Sequence, residues 1–145
     1  MNIIFKKLSD RAQIPRYQTE MSAGMDIAAC LEKPLVLKQF ARVVVPTGLA
    51  VEVPVGYEVQ VRARSGLAAK HGISLVNGVG TIDADYRGEL GVILINLGSE
   101  DFVINNGERI AQIVVIKIEQ PKIIEQNKLS KTNRDINGFG STGKW

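Results

Sequence analysis

The sequence predicts an all-β fold: a single-domain β-barrel, jelly-roll-like, with one short helix and a mobile C-terminal arm. Three observations predict it. Short apolar runs rich in β-branched residues recur along the chain, divided by glycine and proline turn signals at strand spacing. Only one stretch, "SGLAAKHG", reads as helical. From about Gln126 onward the chain is polar and has no period.

Taken in order, "RVVVPTGLAVEVP" offers two strands hinged at Pro46 to Gly48. "YEVQVRAR" alternates: Tyr57, Val59, Val61 and Ala63 take one face, and Glu58, Gln60, Arg62 and Arg64 the other. In "SGLAAKHG" Ser65 is the expected N-cap and Gly72 the expected stop, after about two turns. "ELGVILINLG" and "RIAQIVVIKIE" are apolar on both faces, which suggests strands covered on both sides, by the core and by another subunit. The closing "NRDINGFGSTGKW" carries three glycines and cannot order itself, because glycine loses the most backbone entropy on ordering. The expected division is a barrel over residues 1–125 and an arm over residues 126–145.

A chain of 145 residues is long enough for one real core. A pI near 9.1 with a net charge of only +3 suits an anionic ligand but is too small to argue for nucleic-acid binding. One cysteine, Cys30, rules out an internal disulfide, and one histidine, His71, argues against a Cys/His zinc cluster or a histidine-based triad. The chemistry must then run on carboxylates, hydroxyls, amides and arginines. No apolar run is long enough for a signal peptide or a membrane span, so a cytoplasmic protein with no membrane partner is expected.

Three places can carry chemistry. In "RARSGLA" arginines stand beside a helix start, whose free N–H groups and partial positive charge can cradle phosphate; the alternative is a solvated strand face and an ordinary cap. In "NGVGTIDADYRGEL" Gly78 and Gly80 allow close backbone approach, and Asp83, Asp85 and Tyr86 follow on a turn. That hairpin can offer backbone groups to a planar base, a carboxylate to water and a ring to a sugar; equally, its aspartates can serve only the turn. In "RIAQIVVIKI" Gln112 shares its face with Ile110, Val114, Ile116 and Ile118. A buried amide left unpaired costs about 1–3 kcal/mol, so it needs a backbone or ligand partner. Asp26 in "SAGMDIAA" is a similar lone acid, which an Asx-turn would also explain.

Together these stretches resemble the trimeric all-β dUTPases, the deoxyuridine triphosphate nucleotidohydrolases, of β-clip fold. Five ordered motifs carry the resemblance: "AGMDIAA", "RARSGLA", "NGVGTIDADYRGEL", "GERIAQIVV" and "NGFGSTG", spanning residues 23–143. The resemblance implies hydrolysis of dUTP to dUMP and pyrophosphate by water attack on the α-phosphorus, which keeps uracil out of DNA and supplies dUMP for thymidylate synthesis. It implies a homotrimer with sites at subunit interfaces, and magnesium held mainly by the triphosphate.

It also implies roles. Asp83 is the general base, and Tyr86 stacks under the deoxyribose. Asn77 and the backbone of Gly80, Thr81, Ile82 and Asp83 read the uracil edge. Arg64, Ser65, Gly66 and Gln112 hold the phosphates, and Asp26 touches the metal through water. Phe139 covers the uracil, Gly140 beside it also binds substrate, and Arg134, Ser141 and Thr142 clamp the γ-phosphate as the arm closes over a site.

The chain departs from the family pattern at Ala63, where proline is usual, and at Asp135 and Asn137, where glycines are usual. Asp135 brings a negative charge toward a triphosphate and should weaken closure. Rival readings are a dCTP deaminase-like enzyme of the same fold, a catalytically silent nucleotide-binding relative, and a basic nucleic-acid-binding module. The deaminase reading suffers from the presence of "GFGSTG", the silent relative from the intact Asp83, Tyr86 and Gln112, and the last from the lack of an aromatic platform interleaved with basic residues.

Overall fold

The computed structural model describes residues 1–139, 141 and 143. Among them the chain runs through β1 (Ile4–Lys7), β2 (Arg16–Tyr17), β3 (Met25–Ala28), β4 (Leu35–Leu37), β5 (Arg42–Pro46), β6 (Leu49–Glu52), β7 (Tyr57–Arg62), α1 (Ser65–His71), β8 (Ile73–Leu75), β9 (Gly80–Ile82), β10 (Gly91–Asn96), β11 (Phe102–Ile104) and β12 (Arg109–Lys117). The strands form four antiparallel sheets, ordered β1-β6, β5-β10-β8, β11-β4 and β2-β3-β12-β7-β9. The all-β class is therefore the observed one.

Strand alternation decides what goes inward. Val59 and Val61 of β7 are buried, while Glu58, Gln60 and Arg62 face the other way. Every sheet contributes to one core: Ile27, Leu37, Val45, Leu49, Leu94, Ile104 and Ile113 are all almost wholly enclosed. Each such side chain stabilises the fold by about 1.5–3 kcal/mol relative to an exposed one. Two polar side chains are enclosed with them. Thr47 Oγ1 donates to Leu90 O at 2.7 Å. Asn96 donates from Nδ2 to Leu37 O at 3.0 Å and Glu100 O at 2.7 Å, and accepts from Gly98 N–H at 2.9 Å.

Three local expectations are corrected. Ser65 is the first helical residue rather than the N-cap; Arg64 takes that position, with no side-chain cap. Gly72 does end α1, at φ 68, with its N–H turned back to Ala68 and Leu67 carbonyls. A register shift between Arg109 and Ala111 turns Ile110 into the core, so Gln112 shares its outer face with Val114 and Ile116 but not with Ile110. Arg62 and Arg64 also part company, because β7 ends at Arg62 and the chain turns before the helix. The outer faces of β10 and β12, apolar in sequence, are half-buried at Ile93, Ile95 and Ile116 in the single chain.

No strand follows Lys117 among the described residues, and residues 119–137 are all exposed. No helix among the described residues is long and apolar enough to cross a membrane.

Candidate active site

Strand register assembles the first cluster. β3 pairs with β12 so that Asp26 stands opposite Gln112, and β12 pairs with β7 so that Gln112 stands opposite Arg62. The turn after Arg62 therefore delivers Arg64, Ser65 and Gly66 to the same place. A cavity of about 330 Å³ opens there, lined by Asp26, Arg64, Ser65, Gly66 and Gln112, with Gln18 and Ser22 at its margin.

Arg64 is fixed by its surroundings. Its Nη1 donates to Arg109 O at 2.8 Å, and its Nε lies 3.3 Å from Asp26 Oδ1. Asp26 Oδ2 in turn accepts from Arg109 Nη1 at 2.9 Å. Gln112 finds a backbone partner: its Nε2 donates to Ala63 O at 3.0 Å. No acidic residue sits in the first turn of α1 and no side chain caps it, so the first N–H groups of the helix have no side-chain acceptor. Arg62 is not part of this cluster; its guanidinium donates to Gln60 Oε1 from both Nε and Nη2.

The cavity can meet a cation only at its edge. Asp26 is its one carboxylate, with a side chain 13% exposed and already shared by two guanidiniums. Among the described residues no group of three His, Cys, Asp or Glu side chains could hold a metal. That donor set does not make a protein cage; it fits a magnesium ion whose other ligands come from a phosphate chain and water.

The second cluster lies on the turn and strand that follow β8, and the expected hairpin is not formed, because β8 pairs with β10 while β9 joins a different sheet. Gly78, at φ 70, turns the chain, and Gly80 is hemmed in because a Cβ there would meet Asn77 Nδ2 at 3.0 Å and Val61 Cβ at 3.3 Å. β9 then pairs with β7, Thr81 opposite Gln60 and Ile82 opposite Val59. A cavity of about 190 Å³ is lined by Thr81, Ile82, Asp83, Tyr86, Glu89 and Gly91. The Tyr86 hydroxyl donates to Glu89 O at 2.9 Å, which fixes the ring across the loop. Asp83 is exposed, and its carboxylate has no hydrogen bond or ion pair among the described residues. A carboxylate in that state is free to accept a proton from water.

The two cavities share no lining residue. One chain thus brings Asp26, Arg64, Ser65, Gly66 and Gln112 together, and separately Thr81, Ile82, Asp83 and Tyr86; Asn77 sits in the turn between β8 and β9, outside both. Among the described residues, none from 126 onward lines either cavity. Arg134 Nε donates to Asn137 O at 2.9 Å, Phe139 is fully exposed, and Ser141 N–H donates to Gly138 O at 3.1 Å. Gly140 and Thr142 lie outside the described residues.

Sequence reading missed Arg109 and Glu89. Arg109 holds Asp26, and Glu89 accepts the Gly48 N–H at 2.8 Å while its carbonyl holds Tyr86. Both stand inside stretches singled out for other residues. Only the pairing of β12 with β3 reveals what Arg109 touches.

A model of the dUTPase family matches residues 10–143. The deoxyuridine 5'-triphosphate nucleotidohydrolase of Treponema denticola is 54% identical over 140 residues, covering 97% of each chain. The protein of the same name from Syntrophotalea carbinolica is 50% identical over 143 residues, 99% of this chain and 97% of that one. Among solved structures, the dUTPase of Staphylococcus bacteriophage 80alpha with dUPNHPP superimposes with a TM-score of 0.86 at 30% identity, covering 98% of both chains.

Proposed function

The chain belongs to the dUTPase family, and we propose that it hydrolyses dUTP to dUMP and pyrophosphate by attack of a water on the α-phosphorus. The observation that carries the mechanism is the division of labour between the two clusters: a cationic, amide-lined cavity at Arg64 and Gln112, and a free carboxylate beside an aromatic ring at Asp83 and Tyr86.

In this reading Asp83 orients the attacking water and takes its proton. The ring of Tyr86 packs under the deoxyribose, where a ribose hydroxyl would collide. Asn77 and the backbone from Gly80 to Asp83 read the uracil edge. Arg64, Ser65, Gly66 and Gln112 bind the phosphates and align the leaving group. Magnesium supplies charge neutralisation on the triphosphate, and Asp26 is the residue of this chain that would approach it. General-base assistance is worth ~10²–10⁴-fold, so positioning and electrostatic stabilisation carry the remainder.

A homotrimer with sites between subunits accounts for the separation of the clusters, since the β8–β9 turn and β9 of one copy can meet the phosphate cavity of another. The half-buried outer faces of β10 and β12 supply apolar area for such contacts. The segment from residue 126 onward then acts as an arm: Phe139 over the uracil, Gly140 beside it on the substrate, and Arg134, Ser141 and Thr142 on the γ-phosphate. Its closure excludes water other than the nucleophile.

The test is pyrophosphate release with magnesium from dUTP, dCTP, dTTP and UTP, each alone. Release from dUTP alone is expected. Ammonia from dCTP, or no product from any of the four, would refute the reading.

A further inference from the structure

Arg109 stands behind the phosphate cavity rather than in it. The residues lining that cavity do not include Arg109, which instead borders a neighbouring cavity of about 340 Å³ with Lys7 and Arg16. Asp26 and Gln18 line both, and Asp26 is the charged residue between them. Its carboxylate is divided: Oδ2 receives Arg109 Nη1 at 2.9 Å, and Oδ1 faces Arg64 Nε at 3.3 Å. The Arg109 carbonyl holds Arg64 Nη1 from a second direction at 2.8 Å. Arg64 Nη2 has no partner among the described residues, and Arg64 itself lines the phosphate cavity.

These contacts form a relay of fixed charges. A carboxylate with a single guanidinium partner would draw that partner toward itself and leave much of its own negative charge facing an incoming triphosphate. The second guanidinium, from Arg109, offsets that charge and anchors the carboxylate on the side away from the cavity. Resting on the functional reading above, we propose that Arg109 is a positioning residue for the reaction: it neutralises and fixes Asp26, and Asp26 so held presents Arg64 to the phosphates.

Substitution of Arg109 isolates the side chain, because the carbonyl that holds Arg64 survives in every variant. The readout is the dissociation constant of the imido analogue of dUTP in the presence of magnesium, with the unfolding midpoint recorded alongside. Arg109→Ala should weaken binding about tenfold, within the range found for residues sharing one ion-pair network. Arg109→Lys should recover most of the loss, since it restores the charge. If the alanine variant does not fold, Arg109→Gln removes the charge and keeps the stem.

The decisive measurement repeats Arg109→Ala in an Asp26→Asn background. A residue that acts through the Asp26 charge should then cost less than about twofold. An equal loss in both backgrounds would make Arg109 a direct phosphate ligand and overturn the proposal. A lowered unfolding midpoint with unchanged affinity would reduce it to a structural residue and overturn it equally. Wild-type protein that binds the analogue while the variants behave in either of those ways sinks the role of Arg109 alone; wild-type protein that ignores the analogue sinks the functional reading itself.

Discussion

Gly24 faces the amide of Gln112 so closely that a Cβ on Gly24 would lie 2.7 Å from Gln112 Oε1. The other neighbours of that Cβ, Ile113 O and Val114 Cγ2, stand at 3.4 Å, ordinary contact distance. The glycine therefore reserves space for one side chain, the amide that donates to Ala63 O and borders the phosphate cavity.

Gly24→Ala should act on activity more than on stability. The added methyl displaces the Gln112 amide and breaks its bond to Ala63, at a cost of about 1 kcal/mol. Catalytic efficiency should fall by tenfold or more, because the displaced amide leaves the position from which the proposed mechanism has it meet the phosphates. Steady-state kinetics and a urea midpoint on the same preparation separate the two; a large stability loss with unchanged efficiency would contradict the account.

Asp83→Asn should leave the fold alone, since the carboxylate is exposed and engages nothing among the described residues. Stability should change by less than ~0.5 kcal/mol. Turnover should drop by roughly 10²–10⁴-fold while binding of the imido analogue persists. Titration calorimetry beside a pyrophosphate assay checks both halves, and joint loss of binding and turnover would count against a purely catalytic role.

Asn96→Ala is the opposite case. It strips partners from the buried Leu37 carbonyl and from the part-buried Glu100 carbonyl and Gly98 N–H. A loss of about 2–4 kcal/mol is expected, because buried polar groups are left unsatisfied. Denaturant unfolding measures it, and the activity of the folded fraction should remain near that of the parent.

Removal of residues 126–145 should leave the unfolding midpoint nearly unchanged, since residues 119–137 are all exposed and line no cavity described above. Turnover should collapse, because this segment carries Arg134, Phe139, Ser141 and Thr142. A truncated protein with full activity would remove the arm from the mechanism.

The fold class and the addresses of the candidate site residues were legible in the sequence. Alternation in "YEVQVRAR" marked Val59 and Val61 for the core, the glycine after "SGLAAKH" marked the end of the helix, and five stretches marked where the site residues stand. These are local signals, written in period and turn chemistry, so they survive without knowledge of neighbours. Tertiary structure alone decided which addresses meet. The register of β12 against β3 and β7 sets Gln112 between Asp26 and Arg62, the shift at Ile110 turns that residue inward, and the contact of Arg109 with Asp26 spans 83 positions of sequence. Pairing between distant strands is fixed by the packing of the whole core, and no window along the chain contains it. The same packing keeps the Asp83 and Arg64 clusters apart on one chain, a separation that no motif spacing could state.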